Sequence, residues 1–398
     1  MSRVPRSRPV LVEESHRATI FEVFFDLVLV FALTRLIDFM AGDPSALTLF
    51  QGFLLVLWFW YAWSCYTWLG NLTRADVGLV RAVMTVAMAA IFVAALVIPD
   101  AWRAAGAARG ASLTLAAAYL LVRALHLALM FHVGAGDPRY RRQAARFATS
   151  TALAWVPLVI GAVFGGTAQT VLWVVAFAVD YGGGRVVTAA SLGEVRSASH
   201  FAERHNLVLI IALGESLISV GAGAGSAVIR PPVLVAALLG FAVTVCLWWL
   251  YFDDAAPAAA RVLADAPRHT RRRQQLASDA YTLAHLPLIA GVIYVALGIH
   301  EVLAQVAEYA GHAARERLGW GPGVVLYGGA AIYLFGRHLF LRVTVGAAPV
   351  RLVAAAVALL LIPVARLLPA LAAMALLTVF LVALAAEERW RRSTPAGP

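Results

Sequence analysis

Lysine is absent from this chain. All 32 basic residues are arginine, and charged residues make up only 14% of the 398 positions. A water-soluble chain carries about 25% charged residues, so the shortage excludes a soluble globular enzyme and a highly charged disordered chain. Cysteine is nearly absent too. Two residues, Cys65 and Cys246, cannot build a disulfide framework or a cysteine-based zinc site. No His-Glu-x-x-His run and no Gly-x-Ser-x-Gly turn is present, so the zinc-peptidase and serine-hydrolase signatures are missing. Alternating apolar and polar residues, the mark of a membrane barrel, are missing as well. The lack of lysine itself fits a GC-rich genome and carries no functional argument.

What is present is apolar surface. Hydrophobic residues make up 62% of the chain, against about 45–50% in soluble domains. A helix needs about 20 apolar residues to cross a bilayer. Twelve stretches qualify, near 20–40, 47–69, 77–98, 111–133, 147–164, 169–184, 205–224, 232–252, 279–300, 323–341, 349–366 and 368–386. The sixth runs into Gly182–Gly184, and Pro363 and Pro369 split the last pair. The expected fold class is an all-α polytopic membrane protein with about 12 transmembrane helices.

Arginine placement gives the orientation. With the N-terminus inside, 24 of the 32 arginines fall on cytoplasmic segments, six fall outside, and Arg35 and Arg123 lie within spans. Such a bias places both termini in the cytoplasm, with the arginines facing anionic lipid. It also accounts for the net charge of +10 without nucleic acid. The one dense cluster, Arg268 to Arg273, has no interleaved aromatics. Met1 to His16 has no small-residue cleavage site and reads as a disordered tail before the first span. The longest loop is expected around 253–278.

The chain also resembles itself. At a shift of 180 residues, Phe21–Leu33 faces Phe201–Leu213 with six of thirteen positions identical, and Asp26 faces Asn206. One residue further, Cys65 faces Cys246 and Trp68 faces Trp249. The pattern predicts a parallel six-plus-six repeat, an architecture that places transporter sites near the interface of the halves. The implied organisation is a cytoplasmic tail at 1–19, a first six-helix repeat at 20–190, a second at 191–388, and a cytoplasmic tail at 389–398.

Ionisable residues inside spans are the candidate functional set, because a mid-membrane charge costs roughly 3 kcal/mol. Glu22 and Asp26 share one face of the first span at i, i+4 spacing, with Arg35 deeper. Arg123 and His126 lie on the fourth span, Asp180 on the sixth, Glu215 on the seventh between Gly214 and Ser216, and His285 on the ninth just before Pro287. By helical rise, Asp26 and His285 lie roughly 9 Å from the cytoplasmic face, and Glu215 lies near the midplane. The set is expected to line one cytoplasm-facing vestibule. Arg123 is expected to neutralise Asp26 or Asp180, and Arg35 to pair with Glu215. The competing role for these arginines is an ion pair that only fixes packing. Gly214 is expected to admit a neighbouring backbone beside Glu215, and Pro287 to free a carbonyl one turn earlier. His200, Glu203 and His205 have metal-ligand spacing but sit at a helix start, where solvation explains them. Asp253-Asp254 ends the eighth span.

Phe21-Glu22-Val23-Phe24-Phe25-Asp26-Leu27-Val28-Leu29-Val30-Phe31-Ala32 resembles the opening signature of the bacterial low temperature requirement protein A (LtrA) family. His200-Phe201-Ala202-Glu203-Arg204-His205, Ile211-Ala212-Leu213-Gly214-Glu215-Ser216, Trp248-Trp249-Leu250-Tyr251-Phe252-Asp253 and His285-Leu286-Pro287-Leu288-Ile289-Ala290-Gly291 resemble its later motifs. The resemblance spans roughly 17–300. It implies a multi-pass membrane protein and marks Glu22, Asp26, Glu203, Arg204, Gly214, Glu215, Asp253 and His285 as the polar signature, without roles.

The functional expectation is a proton- or cation-linked transporter of an unspecified solute, with no cofactor, no resident metal and no catalytic set, its one certain partner the lipid bilayer. Glu215 and Asp26 would bind the ion, His285 would relay protons, and Arg123 would tune them. Two alternatives stand beside it. One is a membrane sensor or assembly factor acting in the cold. The other is an intramembrane metal-dependent lipid hydrolase using Asp26, His126 and His285. Oligomeric state is left open.

Overall fold

The computed structural model describes residues 9–102, 107–190, 195–227, 229–308, 317–347 and 349–393. Residues 1–8 of the tail expected at 1–19, residues 394–398 of the tail expected at 389–398, Arg103, Arg315 and the Arg392 side chain lie outside the described residues, and the expected repeat boundary after 190 abuts the segment 191–194, also outside them. The described chain is helical. It runs α1 (Ile20–Gly42), α2 (Ala46–Gly70), α3 (Gly78–Val97), α4 (Ala107–Val133), α5 (Pro138–Phe164), α6 (Gly166–Ala190), α7 (Ala198–Ala224), α8 (Pro231–Leu250), α9 (Ala256–Asp265), α10 (Arg271–Gln275), α11 (His285–Glu308), α12 (Trp320–Val345), α13 (Leu352–Ala365) and α14 (Ala370–Ser393). Two isolated bridges, Leu11 with Thr73 and Arg317 with Pro369, are the extended pairings recorded among the described residues.

Among the described residues, ten helical segments are long and apolar enough to cross a membrane. Adding α1 and the fourteen-residue α13 recovers the twelve stretches read from the sequence. α1 is long enough to span, but it carries Glu22, Asp26, Arg35 and Asp38. Large apolar side chains such as Phe164, Leu360 and Val379 stay exposed at 72%, 71% and 65%, as a lipid-facing surface requires.

Two expectations are corrected. No loop of about 25 residues spans 253–278. Helix continues from Pro231 to Asp265 and resumes at Arg271, because Ala256–Asp265 is rich in alanine, the best helix former. At about 1.5 Å per residue the 35-residue segment from Pro231 exceeds the ~30 Å hydrocarbon core, so it projects beyond the membrane. The described part of the N-terminal segment is not a free tail either. Val12 is buried, its N–H donates to the Leu72 carbonyl, and Arg74 N–H donates to the Val10 carbonyl.

The chain divides into two compact units, one comprising Met1–Val208 with Ala266–Ala277, the other Leu209–Asp265 with Ser278–Pro398. In the first, α6 runs straight through Gly182–Gly184. A methyl on Gly183 would overlap Ser150 of α5, and one on Gly184 would overlap the Tyr61 hydroxyl of α2. In the second, α11 and α12 pack backbone to backbone. A Cβ on Gly298 would lie 2.5 Å from Leu326 Cα, and one on Gly329 2.6 Å from Val295 N; Gly291 and Gly336 make the same approach at Tyr333 and Leu288. Small residues at such crossings let helices meet closely where apolar burial alone gives no drive.

Candidate functional site

The first unit is layered along α2. At the α2 N-terminus lies a hydrogen-bonded polar layer. Gln51 donates to Thr170 (2.9 Å), and Ser112 donates to the Ala101 carbonyl and to Gln169. A cavity of about 380 Å³ lined by Asp38, Asp43, Thr48, Gln51 and Trp102 opens onto this layer. About 10 Å further along, Leu55, Trp58, Leu115, Tyr119, Leu158 and Trp173 form an apolar layer. Beyond it comes an ionic layer. Arg123 of α4 is fully buried and donates from Nε (3.0 Å) and Nη2 (2.8 Å) to the two oxygens of Asp180 on α6. Thr151 of α5 donates to the same carboxylate (2.8 Å), while Arg123 also reaches Cys65 (2.9 Å) and lies over the Tyr61 ring. The expected choice between Asp26 and Asp180 is therefore resolved to Asp180. His126, one turn on, packs edge-on to Tyr66. Arg35 turns to Asp38 on its own helix (2.6 Å) rather than to Glu215.

A second ionic cluster closes the far end of α2. The sequence Thr19-Ile-Phe-Glu22 forms a capping box at the start of α1. One oxygen of Glu22 accepts from the Thr19 backbone and hydroxyl, both 2.9 Å away. The other faces His200 Nε2 at 2.9 Å. One turn along α1, Asp26 is held bidentately by Arg204 of α7 (both bonds 2.7 Å) and accepts from the Trp63 indole (2.6 Å). Charge-assisted pairs of this geometry are the strong ones. The guanidinium also lies 5.7 Å from the Trp63 ring centroid. Glu22, Asp26, His200 and Arg204 are all buried.

Asn71, just past the end of α2, fixes the protonation of His200. Its carbonyl oxygen accepts from the Arg196 and Ser197 backbone N–H groups, and its NH₂ donates to the Ser197 carbonyl (2.6 Å). The amide cannot be reversed without opposing donors to donors. Its NH₂ therefore also faces His200 Nδ1 (3.2 Å), so Nδ1 is an acceptor. His200 is then neutral, with its proton on Nε2 pointing at Glu22. The His16 ring lies tilted beside that of His200, with the centroids 5.1 Å apart. Burial pushes the His16 pKa below the usual imidazole range, the Arg74 guanidinium adds to that, and Glu22 and Asp76 oppose it. Donor atoms of His16, Glu22 and His200 lie within 4.8 Å of one another, which is the His₂Glu composition of a catalytic zinc site. The Asn71 contact argues against that use. A metal on His200 Nε2 would require a proton on Nδ1, directed at the Asn71 N–H.

Several other candidates go elsewhere. Glu203 accepts from the Ala18 backbone (3.0 Å) and His205 Nδ1 donates to the Phe201 carbonyl (2.8 Å), so the His200, Glu203 and His205 trio does not converge on one point. In the second unit, Glu215 and Ser216 are buried. A methyl added at Gly214 meets nothing within 4 Å, so the expected close backbone approach there is absent. Asp253 is exposed in the π-helical segment Tyr251–Ala255. A second π segment, Leu276–Leu283, precedes Pro287. There Ala284 N–H bonds to the Asp279 carbonyl, and the Ala280 carbonyl accepts from His285 Nδ1 (3.1 Å) while Nε2 lies 2.7 Å from the Tyr251 hydroxyl. His285 is thus held at both nitrogens, and Asp26 is held by Arg204. The ligand trio proposed for a hydrolase therefore has two members engaged in other bonds. His16, Asn71 and Trp63 were missed from the sequence, although Thr19-x-x-Glu22 was a legible capping signal.

These features define a polytopic helical membrane protein whose first unit holds two fully buried ionic clusters. The family of bacterial low temperature requirement A proteins (LtrA) matches residues 17–386, and the chain belongs to that family. It is 31% identical over 298 residues to an uncharacterized protein of Rhizobium meliloti (strain 1021), covering 71% of this chain and 68% of the relative. No solved structure matches it.

Proposed function

We propose that the protein is a proton-linked transporter of a small solute or cation in the bacterial cell membrane, and not an enzyme. The supporting observation is the Glu22–His200 pair, a carboxylate and a neutral imidazole 2.9 Å apart among membrane-embedded helices. Buried ionisable groups in such helices mark ion and proton pathways, and imidazole with carboxylate is the usual relay. Glu22 suits proton carriage better than Asp26, whose oxygens are both taken by Arg204. The polar, apolar and ionic layers of the first unit read as an occluded path, with the Glu22 end cytoplasmic as the arginine bias demands. The six-plus-six duplication remains part of the reading, with Phe21–Leu33 and Phe201–Leu213 as its equivalent segments.

The test is flux in proteoliposomes carrying an internal pH dye, wild type beside Glu22→Gln and Glu215→Gln. Loss of proton or cation flux in well-folded Glu22→Gln is the expected result. Unchanged flux removes Glu22 from the mechanism. A sensor or assembly factor is the competing reading, favoured by the capping bonds that already occupy one Glu22 oxygen. It predicts that Glu22→Gln lowers accumulation and leaves no flux to lose.

A further inference from the structure

The second unit contains a cavity of about 600 Å³ at one end of α12, α13 and α14. Its lining repeats one order on all three helices. On α12, Leu334 lies deeper than Arg337 and His338. On α13, Val353, Ala354 and Val357 lie deeper than Arg351, which precedes the helix. On α14, Phe380 and Leu384 lie deeper than Glu387, Glu388 and Arg391. Each helix contributes apolar walls toward its middle and charges toward the same end, so the cavity is amphipathic along its length.

The charges balance. Arg337 is bound to Glu388 (2.5 Å) and Asp254 (2.9 Å), Arg351 approaches Asp254 (3.4 Å), and Arg391 pairs with Glu387 (2.5 Å). Three guanidinium groups thus face three carboxylates. A polyanionic ligand would have to break these pairs, whereas a zwitterion can add one charge of each sign beside them. His338 is 7% exposed and lines the cavity, and its Nδ1 is buried with no hydrogen-bond partner among the described residues.

We infer that this cavity binds a zwitterionic phospholipid with a primary-amine headgroup, the phosphate beside Arg351 and Arg391, the ammonium beside Glu387, and an acyl chain along Val357 and Phe380. Lipid sites between helices at the membrane edge follow from the same electrostatics. Arg351 and Arg391 suit the phosphate because their side chains are 34% and 66% exposed, while Arg337 is buried.

The test uses full-length protein, delipidated in detergent. Phosphatidylethanolamine, phosphatidylglycerol and phosphatidylcholine are added separately, as is soluble glycerophosphoethanolamine. Native mass spectrometry reads the retained adduct and a thermal melt reads stabilisation. The expected result is a one-to-one phosphatidylethanolamine adduct, retained at least tenfold better than the other two lipids and accompanied by a higher melting temperature. Arg351→Gln with Arg391→Gln should cut retention about tenfold. Val357→Trp, which fills the apolar wall without touching any charge, should do the same. Equal retention of all three lipids, or preference for phosphatidylglycerol, overturns the inference. So does soluble headgroup binding as tightly as the lipid, or retention unchanged in a well-folded Val357→Trp.

Discussion

Arg123 and Asp180 offer the sharpest perturbation of the fold. The pair is buried on both sides, at 0% and 1% side-chain exposure, and Asp180 also accepts from Thr151. Asp180→Asn removes the charge and leaves a guanidinium uncompensated among membrane helices. Arg123→Met leaves the carboxylate in the same condition. Breaking a buried pair from one side costs about 3–5 kcal/mol, a change of roughly two to four orders of magnitude in the folding equilibrium. Arg123→Met with Asp180→Leu removes both charges together and should recover most of that loss, since apolar replacement of a whole buried pair is often neutral. The assay is reversible denaturant unfolding in mixed micelles across the double-mutant cycle. The single variants should fall by about 3 kcal/mol or more, and the double variant by far less than their sum. Additive losses, or single variants within about 1 kcal/mol of wild type, would refute the reasoning. Flux separates packing from mechanism: a stable double variant that still transports makes this pair a brace, and a stable one that does not makes it part of the path.

Further outcomes follow from particular contacts. Gly298→Leu places a side chain where even a Cβ would sit 2.5 Å from Leu326 Cα, so it should lower the melting temperature markedly, with an overpacking cost of about 1–3 kcal/mol or more. Gly214→Ala, where a Cβ meets nothing within 4 Å, should leave that temperature nearly unchanged. Asn71→Asp should accept a hydrogen bond from His200 Nδ1–H, shift the ring to that tautomer, leave Nε2 bare, and raise zinc affinity at the His16, Glu22 and His200 trio at least tenfold by equilibrium dialysis; equal affinity would sink the tautomer assignment. His16 has a depressed folded-state pKa, so the unfolded chain takes up its proton first. Its contribution to stability is present above about pH 6.5 and is lost as pH falls below it, and His16→Phe should flatten that part of a pH-resolved melt.

The membrane class, the twelve helical stretches and the burial of Glu22, Asp26, Arg123, Asp180 and Glu215 were legible because hydropathy and charge cost depend on composition within one segment. Partner choice was not, because it depends on helix rotation. Glu22 and Asp26 share a face at four-residue spacing, yet they take different partners, His200 and Arg204, which themselves sit four residues apart on α7. The matching spacing was in the sequence. Only the register of α1 against α7 shows which acid meets which base. Loop length failed for a different reason: polar and charged residues near 253–278 resembled a connection, while Ala256–Asp265 retains helix propensity beyond the apolar run.

The same geometry explains why a site can be recognised by residue type and still be misassigned. His16, Glu22 and His200 have the composition of a metal centre, and their donor atoms are close enough to form one. The deciding atom belongs to Asn71, a polar residue at a helix end with no conspicuous spacing to any of them. Four hydrogen-bonding contacts fix its amide, and that orientation selects the imidazole tautomer, which in turn makes His200 a hydrogen-bond donor toward Glu22. The tautomer of His200 therefore depends on α2 ending where it does. Displacing Asn71 would change the protonation pattern before it changed any charge, which is why Asn71→Asp separates a relay from a metal site more cleanly than removal of either ligand.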